Sequence, residues 1–329
     1  MAVTIKDIAK KAGVSYSTVS RALNGLSVVS DEKKEKIIEI SQEMGYIPNQ
    51  TAINLKTNKS YTIGLYFSTI SKMTSPQVLH DVLTAVYGVV GSKYLIVVKG
   101  IDMHEEGTLN PAVFDGIIFL SQMSEDEKVM GEVLNKKIPF VVLNRIVHFN
   151  VPTILTDEAK GVKRTMEYLL SHGHRKIAVI EGSKKLDSTK TRHRGWMAAV
   201  RQSGMNPYEI PVEYGDYRYA SGYYAAKKLL PFKPTAILCF NDEMAFGAER
   251  AINEMGLKVP DDISLIGFDN WNLSMLSKMQ ITTIERNMGL IAKRGTEILL
   301  DWLETGNTKE KRVYLDTLLV ERNSVKTIQ

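Results

Sequence analysis

Cysteine is almost absent from this chain of 329 residues, since Cys239 is the only one. A single thiol cannot form an internal disulfide, and its place in the apolar run AILCF predicts a buried side chain. No apolar run approaches membrane-spanning length, and the N-terminus does not resemble a signal sequence. We therefore expect a cytoplasmic protein whose fold does not depend on disulfides.

Motifs that are typical of catalysis are missing as well. The sequence contains no HExxH zinc motif, no Walker phosphate loop, no GxGxxG after a strand and no GxSxG nucleophile motif. His172 and His174 flank a glycine at the predicted end of a helix, which favours a capping role over metal binding. We therefore predict a protein that is not an enzyme and that needs neither a cofactor nor a metal.

What the sequence does contain is a basic N-terminal segment. The net charge is +5, and residues 1–60 hold nine Lys and Arg against six Asp and Glu. Most of the excess positive charge therefore lies in less than a fifth of the chain. This distribution suits contact with nucleic acid, although a small solvated basic domain would have the same composition.

The same segment predicts three short helices that must pack on one another. Thr4 can cap the first helix, and Gly13 ends it. Ser15 can cap the second helix, Asn24 ends it with the glycine that follows, and Ser30 starts the third. Two short helices joined by a glycine-containing turn indicate a helix-turn-helix, although a helical hairpin that merely packs would show a similar pattern.

In a helix-turn-helix the second helix enters the major groove of DNA, with its first residues at the base edges. Arg21 can donate two hydrogen bonds to guanine, and Tyr16 and Ser17 can reach bases or phosphates. Hydroxyl groups that suit phosphate contacts are found on Thr4, Ser15 and Ser20.

Beyond Tyr61 the sequence alternates β-rich runs with amphipathic segments, a pattern that indicates parallel sheets covered by helices. The count of strands divides near residues 145–160 into two such units. One crossover, after Val98, is so short that we expect its helix to be reduced or missing. The predicted strands are YTIGLYF, KYLIVV, GIIFL, FVVLN, KIAVIE, TAILCF and ISLIGF. The helical patterns are Glu125–Asn135, Ala159–Ser171, Tyr219–Leu229 and Asp242–Met255.

The stretch TIKDIAKKAGVSYSTVSRALNG, followed by VSDEKKEKIIEISQEMGYIPN, resembles the N-terminal signature of the LacI/GalR family of bacterial transcription regulators. Further segments resemble landmarks of that family in the same order, namely SHGHRKIAVIEG, RHRGW, FNDEMAFGAERAINEMGLKVPDDISLIGFDN and LLVERNS. The resemblance covers the whole chain.

The resemblance implies a small all-α helix-turn-helix DNA-binding domain at residues 1–48 and a hinge helix or linker at 49–60. It also implies an α/β effector-binding and dimerisation domain at 61–329, similar to periplasmic binding proteins. That domain would consist of two doubly wound parallel-sheet subdomains, an N-terminal half at about 61–145 and a C-terminal half at about 155–280.

The hinge implied by the resemblance becomes helical when a dimer sits on DNA, and Leu55 occupies the position whose side chain wedges into the minor groove. A helix this short is unstable alone in water, so we expect it to form only with a partner. Ile53 departs from the family, which often has arginine there. The complete set of expected DNA contacts is Thr4, Ser15, Tyr16, Ser17, Thr18, Ser20, Arg21, Asn24, Asn49, Ala52 and Leu55.

The effector implied by the resemblance is a small sugar or sugar derivative in the cleft between the two halves. We favour ligand contact over a structural ion pair for Arg192 and Asp269, whereas Asn241 could only cap a helix and Tyr217 could only pack. The complete set of expected effector contacts is Phe67, Ser68, Asn144, Arg192, Tyr217, Asn241 and Asp269.

These expectations describe a homodimeric repressor that binds a pseudo-palindromic operator and responds to a small molecule. Because no heptad tail follows the ERNS segment, we expect a dimer and not a tetramer. The alternative is a catabolite-control regulator whose co-effector is a phosphocarrier protein. A sugar-binding protein or enzyme without DNA activity is disfavoured by the basic N-terminal helices.

Overall fold

The computed structural model describes the chain in five segments, residues 3–23, 29–46, 59–70, 74–271 and 279–328. Its contacts divide the chain into two compact units, Met1–Lys59 and Ser60–Gln329.

The first unit is a three-helix bundle with a small apolar core. Its helices are α1 (Ile5–Ala12), α2 (Tyr16–Leu23) and α3 (Asp31–Glu43). Gly13 follows α1 with φ +66°, a left-handed conformation that glycine adopts without strain, and the chain turns there into α2. The buried apolar side chains of the bundle are Ile8, Ala9, Val19, Ala22, Val29 and Ile37.

The second unit contains two parallel sheets and a short antiparallel pair. Its strands are β1 (Thr62–Phe67), β2 (Leu95–Gly100), β3 (Gly116–Leu120), β4 (Phe140–Leu143), β5 (Thr153–Thr156), β6 (Ile177–Glu181), β7 (Val212–Tyr214), β8 (Ala236–Cys239), β9 (Ser264–Ile266), β10 (Thr283–Glu285), β11 (Arg312–Leu315) and β12 (Leu318–Val320). Its helices are α4 (Pro76–Val90), α5 (Glu127–Asn135), α6 (Glu158–Ser171), α7 (Asp187–Gln202), α8 (Tyr219–Leu229), α9 (Asp242–Glu254) and α10 (Met288–Thr305).

The strand order of the first sheet is β11-β5-β4-β3-β1-β2, and that of the second sheet is β7-β6-β8-β9. All pairs in both sheets are parallel, while β10 and β12 form the antiparallel pair. Strand β11 returns to the first sheet after the second sheet is complete, so the chain crosses between the two halves more than once. The predicted doubly wound α/β architecture is confirmed.

All seven predicted strands are present, five of them inside the two sheets and two, β2 and β9, at sheet edges. The shortened crossover after Val98 is confirmed too, because β2 leads into a single 3₁₀ turn at Ile101–Met103 and then into a loop before β3. Five further strands, β5, β7, β10, β11 and β12, were not predicted. Each has only three or four residues and lies at a sheet edge or in the small pair, except β5, which lies between β4 and β11.

Candidate functional site

The exposed face of α2 carries the side chains expected to read DNA. Tyr16, Ser17 and Arg21 are exposed, and Tyr16 presents 56% of its surface to solvent. Val19 and Ala22, on the opposite face, are buried in the core of the bundle. The packing of α2 therefore holds an aromatic ring, a hydroxyl and a guanidinium on one free face.

A hydrogen-bonded group of hydroxyls stands at the start of the same helix. Ser15 Oγ lies 2.8 Å from both Ser17 Oγ and Thr18 Oγ1, and it accepts the Thr18 N–H at 3.2 Å. At the start of α1, the Thr4 hydroxyl donates to Asp7 Oδ2 at 2.7 Å, and the Thr4 N–H donates to the same oxygen. The Ser15 hydroxyl thus caps α2, whereas at α1 the Asp7 carboxylate accepts from Thr4, and both hydroxyls lie at the surface.

The remaining expected DNA contacts are only partly described. Ser20 is half-buried on α2. The hinge helix stays a prediction, as does any effect of Ile53, the position where the family often has arginine. The contacts that lie outside the described residues are Asn24, Asn49, Ala52 and Leu55.

A cleft opens where the strands of both sheets end. Its outer part has a volume of about 390 Å³, and a narrower inner part adjoins it. Ser75 and Val78 of the first half, together with Asn241, Asp269 and Arg286, line both parts. Crevices at the carboxyl ends of parallel strands are where ligands of such sheets bind.

Five of the seven expected effector contacts lie around the inner part of this cleft. They come from five separate segments of the chain, which the fold brings together. They are Asn144, Arg192, Tyr217, Asn241 and Asp269.

The other two expected contacts point elsewhere. Phe67 is buried in the apolar core of the first sheet. The Ser68 hydroxyl donates to Asp126 Oδ2 at 2.5 Å and accepts the Gln122 N–H at 2.7 Å. Ser68 and Asp126 line a different cavity, on the surface of the first half. The side chains of Phe67 and Ser68 therefore make their contacts away from the cleft.

Arg192 is almost completely buried and lies in a network of ions. Its Nε donates to Glu158 Oε2 at 2.9 Å, and its Nη2 lies 3.4 Å from Asp269 Oδ1. The guanidinium also lies over the Phe268 ring at 3.8 Å and donates to the Phe240 carbonyl. Arg192 and Asp269 thus form an ion pair with each other at the inner wall of the cleft.

A second guanidinium completes the network. Arg286 Nη1 donates to Glu158 Oε1 at 2.6 Å and to Asn144 Oδ1 at 3.2 Å, while Nη2 lies 3.0 Å from Asp269 Oδ1. Burial raises the pKa of Glu158, but the charges of Arg192 and Arg286 outweigh that effect and lower its pKa to about 2. Glu158 is therefore an ionised carboxylate held between two guanidinium groups.

Glu158 and Arg286 were not among the residues predicted from the sequence. Glu158 begins α6 two residues after the end of β5, and Arg286 directly follows β10, and neither of these short strands was predicted. Recognising TILT and TIE as strands would have placed both residues at strand ends, where cleft residues are expected.

Asn241 and Tyr217 support each other at the cleft. Asn241 Oδ1 accepts the Met244 N–H at 3.0 Å and so caps α9, and its Nδ2 donates to the Tyr217 carbonyl at 2.8 Å. The Tyr217 hydroxyl lies 2.8 Å from Thr189 Oγ1. A Cβ at Gly182 would come within 2.0 Å of the Tyr217 ring, so only glycine fits there. The capping role that the sequence left open for Asn241 is present in the structure.

Asp242 is a buried carboxyl group at the base of the outer cleft. It accepts the Thr283 hydroxyl at 2.6 Å and the Trp271 N–H at 2.7 Å. Burial raises its pKa to about 7, although these two hydrogen bonds lower it. This carboxyl therefore titrates near neutral pH.

Direct contacts join the two halves around the cleft. Trp271 Nε1 donates to Gln77 Oε1 of α4 at 3.2 Å. Arg145 Nε donates to Asp187 Oδ2 at 2.5 Å, and the Asp187 N–H donates to the Gln122 carbonyl at 3.0 Å. A ligand in the cleft would therefore touch two walls that already meet at its edges.

Two family models match the chain. Residues 4–49 match bacterial regulatory proteins of the lacI family, and residues 166–325 match a periplasmic binding protein-like domain. The probable HTH-type transcriptional repressor ExuR of Bacillus subtilis (strain 168) is 37% identical over 335 aligned positions, which cover 99% of each chain. The chain belongs to the lacI family of bacterial regulatory proteins.

Further proteins are similar over nearly the whole chain. Catabolite control protein A of Priestia megaterium is 30% identical over 99% of this chain and 100% of its own. The Lac repressor dimer bound to operator and the anti-inducer ONPF has a TM-score of 0.85 and 28% identity over 99% of this chain and 100% of its own. A complex of the regulator CelR with cellobiose has a TM-score of 0.73 and 25% identity over 98% and 99% of the two chains.

Membership in the lacI family makes the chain a DNA-binding transcriptional regulator, as the sequence predicted. Its relatives carry the names of transcriptional regulators and not of enzymes. Within the described segments, no helix is long and apolar enough to cross a membrane.

Proposed function

We propose that this lacI-family regulator represses transcription as a homodimer that binds operator DNA, and that a small sugar or sugar derivative in the cleft controls its operator affinity. The observation that carries the effector part is the convergence of Asn144, Arg192, Tyr217, Asn241 and Asp269 on one cleft. Amide, carboxylate and guanidinium groups together provide the donors and acceptors that sugar hydroxyls need.

The names of relatives support both parts of the proposal. The relative in Bacillus subtilis is named as a repressor, and the similar Lac repressor structure contains operator DNA and an anti-inducer. The similar CelR structure contains cellobiose. A sugar that contacts both walls of the cleft binds one arrangement of the two halves better than another, and it can shift operator affinity only through that difference. Such couplings are typically about 1–3 kcal/mol.

The experiment is a thermal-unfolding screen of the full chain against neutral sugars, sugar acids, sugar phosphates and purines. A ligand at about 100 times its dissociation constant stabilises the folded state by about 2.7 kcal/mol, which shifts the melting temperature measurably. The shift should disappear in Asp269→Asn, because that carboxylate lines both parts of the cleft. It should persist in Asp301→Asn, a matched change at an exposed position of α10. A screen without any shift would contradict the effector part.

One structural observation supports the alternative of a phosphocarrier protein as co-effector. The loop that replaces the crossover helix exposes Met103 at 82% and Val113 at 47% on the first half. The similarity to Catabolite control protein A agrees with such a partner. Titration calorimetry with a purified phosphocarrier protein tests the alternative. The alternative would be favoured if the phosphocarrier protein binds, if Met103→Asp weakens that binding, and if no sugar shifts the melting temperature in the unfolding screen.

A further inference from the structure

Three hydroxyl groups at the start of α2 are linked in one hydrogen-bonded chain. Ser15 Oγ lies 2.8 Å from Ser17 Oγ and 2.8 Å from Thr18 Oγ1. The same oxygen accepts the Thr18 backbone N–H at 3.2 Å. Ser15 is therefore the middle of the chain, and the hydroxyls of Ser17 and Thr18 are its two ends.

The number of protons limits how this chain can be arranged. A serine hydroxyl has one proton to donate and two lone pairs that accept. One lone pair of Ser15 Oγ takes the Thr18 N–H, so the Ser15 hydroxyl can donate to one neighbouring hydroxyl and accept from the other. One of the two ends must therefore donate its proton to Ser15, while the other end keeps its proton for an outside acceptor.

The positions of the two ends on α2 decide between these arrangements when the helix lies in the major groove. Ser17 is exposed and lies four residues before Arg21, so both are on the face directed at the base edges. Thr18 is half-buried and lies four residues before Ala22, which is buried in the bundle. Thr18 is thus on the flank of the helix, which faces the phosphates along the groove.

Phosphate oxygens of DNA accept hydrogen bonds from protein hydroxyls and have none to donate. The Thr18 hydroxyl therefore keeps its proton for a phosphate and accepts from Ser15. Ser15 in turn accepts from Ser17, whose proton is then no longer available to a base. What Ser17 offers to the groove is an acceptor.

We propose that Ser15 is a positioning residue that fixes Ser17 as an acceptor, so that Ser17 selects a base with an amino group in the major groove, adenine or cytosine. This inference rests on the proposed operator binding and names what one residue of α2 recognises. Serine alone can contact any base, because its hydroxyl donates as well as accepts. Guanine and thymine present only acceptors in the major groove, so a hydroxyl whose proton is already used cannot bond to them.

The experiment selects binding sites for the full chain from random double-stranded DNA and then measures fluorescence anisotropy on the selected operator. The position that Ser17 reads is the one whose base preference disappears in Ser17→Ala. Replacing the adenine or cytosine there by purine or 2-pyrimidinone, which lack the amino group, should weaken wild-type binding about two- to tenfold, the range for one hydrogen bond. The affinity of Ser17→Ala should not respond. An analogue that lacks the keto oxygen of the opposite base should affect both proteins equally.

Ser15→Gly tests whether the chain of hydroxyls sets this preference. Glycine still starts a helix at small cost, but it has no hydroxyl, so Ser17 keeps its own proton and the preference for the amino group should disappear. Ser15→Thr retains the hydroxyl and should select the same bases as wild type. Thr18→Val removes the other end of the chain and should lose the same preference, which covers the possibility that Ser15→Gly does not fold.

An unchanged base preference in folded Ser15→Gly and Thr18→Val would overturn the inference and leave the proposed function intact. It would also be overturned if removal of the keto oxygen, and not of the amino group, weakened wild-type binding through Ser17, or if Ser17→Ala altered the preference at no position. If the wild type enriches no sequence at all, both the inference and the operator-binding part of the proposed function fail.

Discussion

At the scale of single residues, two buried carboxyl groups near the cleft are held in opposite states by their surroundings. Glu158 contacts two guanidinium groups, and their charge keeps it ionised despite burial. Asp242 contacts a hydroxyl and a backbone N–H, which do not offset its loss of hydration. The same burial therefore gives one carboxylate with a low pKa and one carboxyl with a pKa near 7.

Asp242 should make the stability of the protein depend on pH. Its pKa rises from 3.8 in the unfolded chain to about 7 in the folded protein. The folded state thus holds a proton that the unfolded state releases, and stability falls as the pH rises from about 4 to about 7. Asp242→Asn removes this titrating group. The free energy of unfolding of the variant, relative to that of wild type, should therefore be higher at pH 8 than at pH 5, as measured by urea unfolding.

The exposed residue Asp301 provides the control for this measurement. Asp301→Asn should show the same pH dependence as wild type. An Asp242→Asn variant whose stability relative to wild type is equal at pH 5 and pH 8 would contradict the raised pKa.

Glu158 should make the protein less stable as the pH falls, which is the opposite of the effect expected of Asp242. Its pKa is lowered from 4.5 to about 2, so the stabilisation is present above pH 4.5 and is lost as the pH falls towards 2. Glu158→Gln leaves two buried guanidinium groups short of one negative charge and should lower the free energy of unfolding by about 3–5 kcal/mol at pH 7. Urea unfolding of Glu105→Gln, at an exposed position, gives the baseline. A cost for Glu158→Gln within error of that baseline would refute the ion network.

At the scale of elements, α8 and α9 approach each other through glycines. A Cβ at Gly222 would lie 2.2 Å from the Met244 carbonyl oxygen, and one at Gly247 would lie 2.1 Å from the Tyr219 carbonyl oxygen. Because both neighbours are backbone atoms, they cannot turn aside as a flexible side chain would. These glycines therefore allow the close approach of α8 and α9, two of the helices that pack on the second sheet.

Gly222→Ala should consequently destabilise the second half. The helices must move apart to admit the methyl group, and overpacking of this kind costs about 1–3 kcal/mol. Gly131→Ala is the matched change, because its Cβ would meet only the Phe149 ring at 3.9 Å in the middle of α5. It should be neutral or stabilising by up to about 1 kcal/mol, since alanine favours helix. Chemical unfolding of both variants measures the contrast, and equal stabilities would disprove the close approach.

The sequence predicted elements well where one pattern dominates. β3 is a continuous apolar run buried on both faces, and α2 carries a cap and a separate apolar stripe. β5 and β10 have only four and three residues, and both begin with threonine. Such segments form strands because neighbouring strands supply hydrogen bonds, and β11 beside β5 and β12 beside β10 come later in the sequence. Their positions, and with them those of Glu158 and Arg286, could not be read from local patterns.

At the scale of the whole molecule, operator binding and effector binding should be separable by mutation. Arg21 lies on the exposed face of α2, and Arg21→Ala should weaken operator binding about ten- to a hundredfold, the range for loss of a bidentate base contact. The sugar affinity of the free protein should not change. Fluorescence anisotropy with operator DNA and calorimetry with the sugar measure the two affinities.

Lys36→Ala, an exposed change on α3, is the comparison for Arg21→Ala. It should retain discrimination between operator and unrelated DNA. If Arg21→Ala keeps that discrimination as well, the assignment of α2 as the reading helix is wrong.

By itself, the sequence determined the two kinds of domain and seven of the strands, and the family resemblance that it carries indicated the five residues around the inner part of the cleft. The strands depend on local patterns, and the five residues lie in motifs that the chain shares with the family. Only the tertiary structure decided that Arg192 and Asp269 form an ion pair with each other, that Ser68 bonds to Asp126 and that Arg286 joins Glu158. The physical reason is that a polar side chain takes its partner from whatever the fold places beside it, and Arg286 and Glu158 lie 128 residues apart.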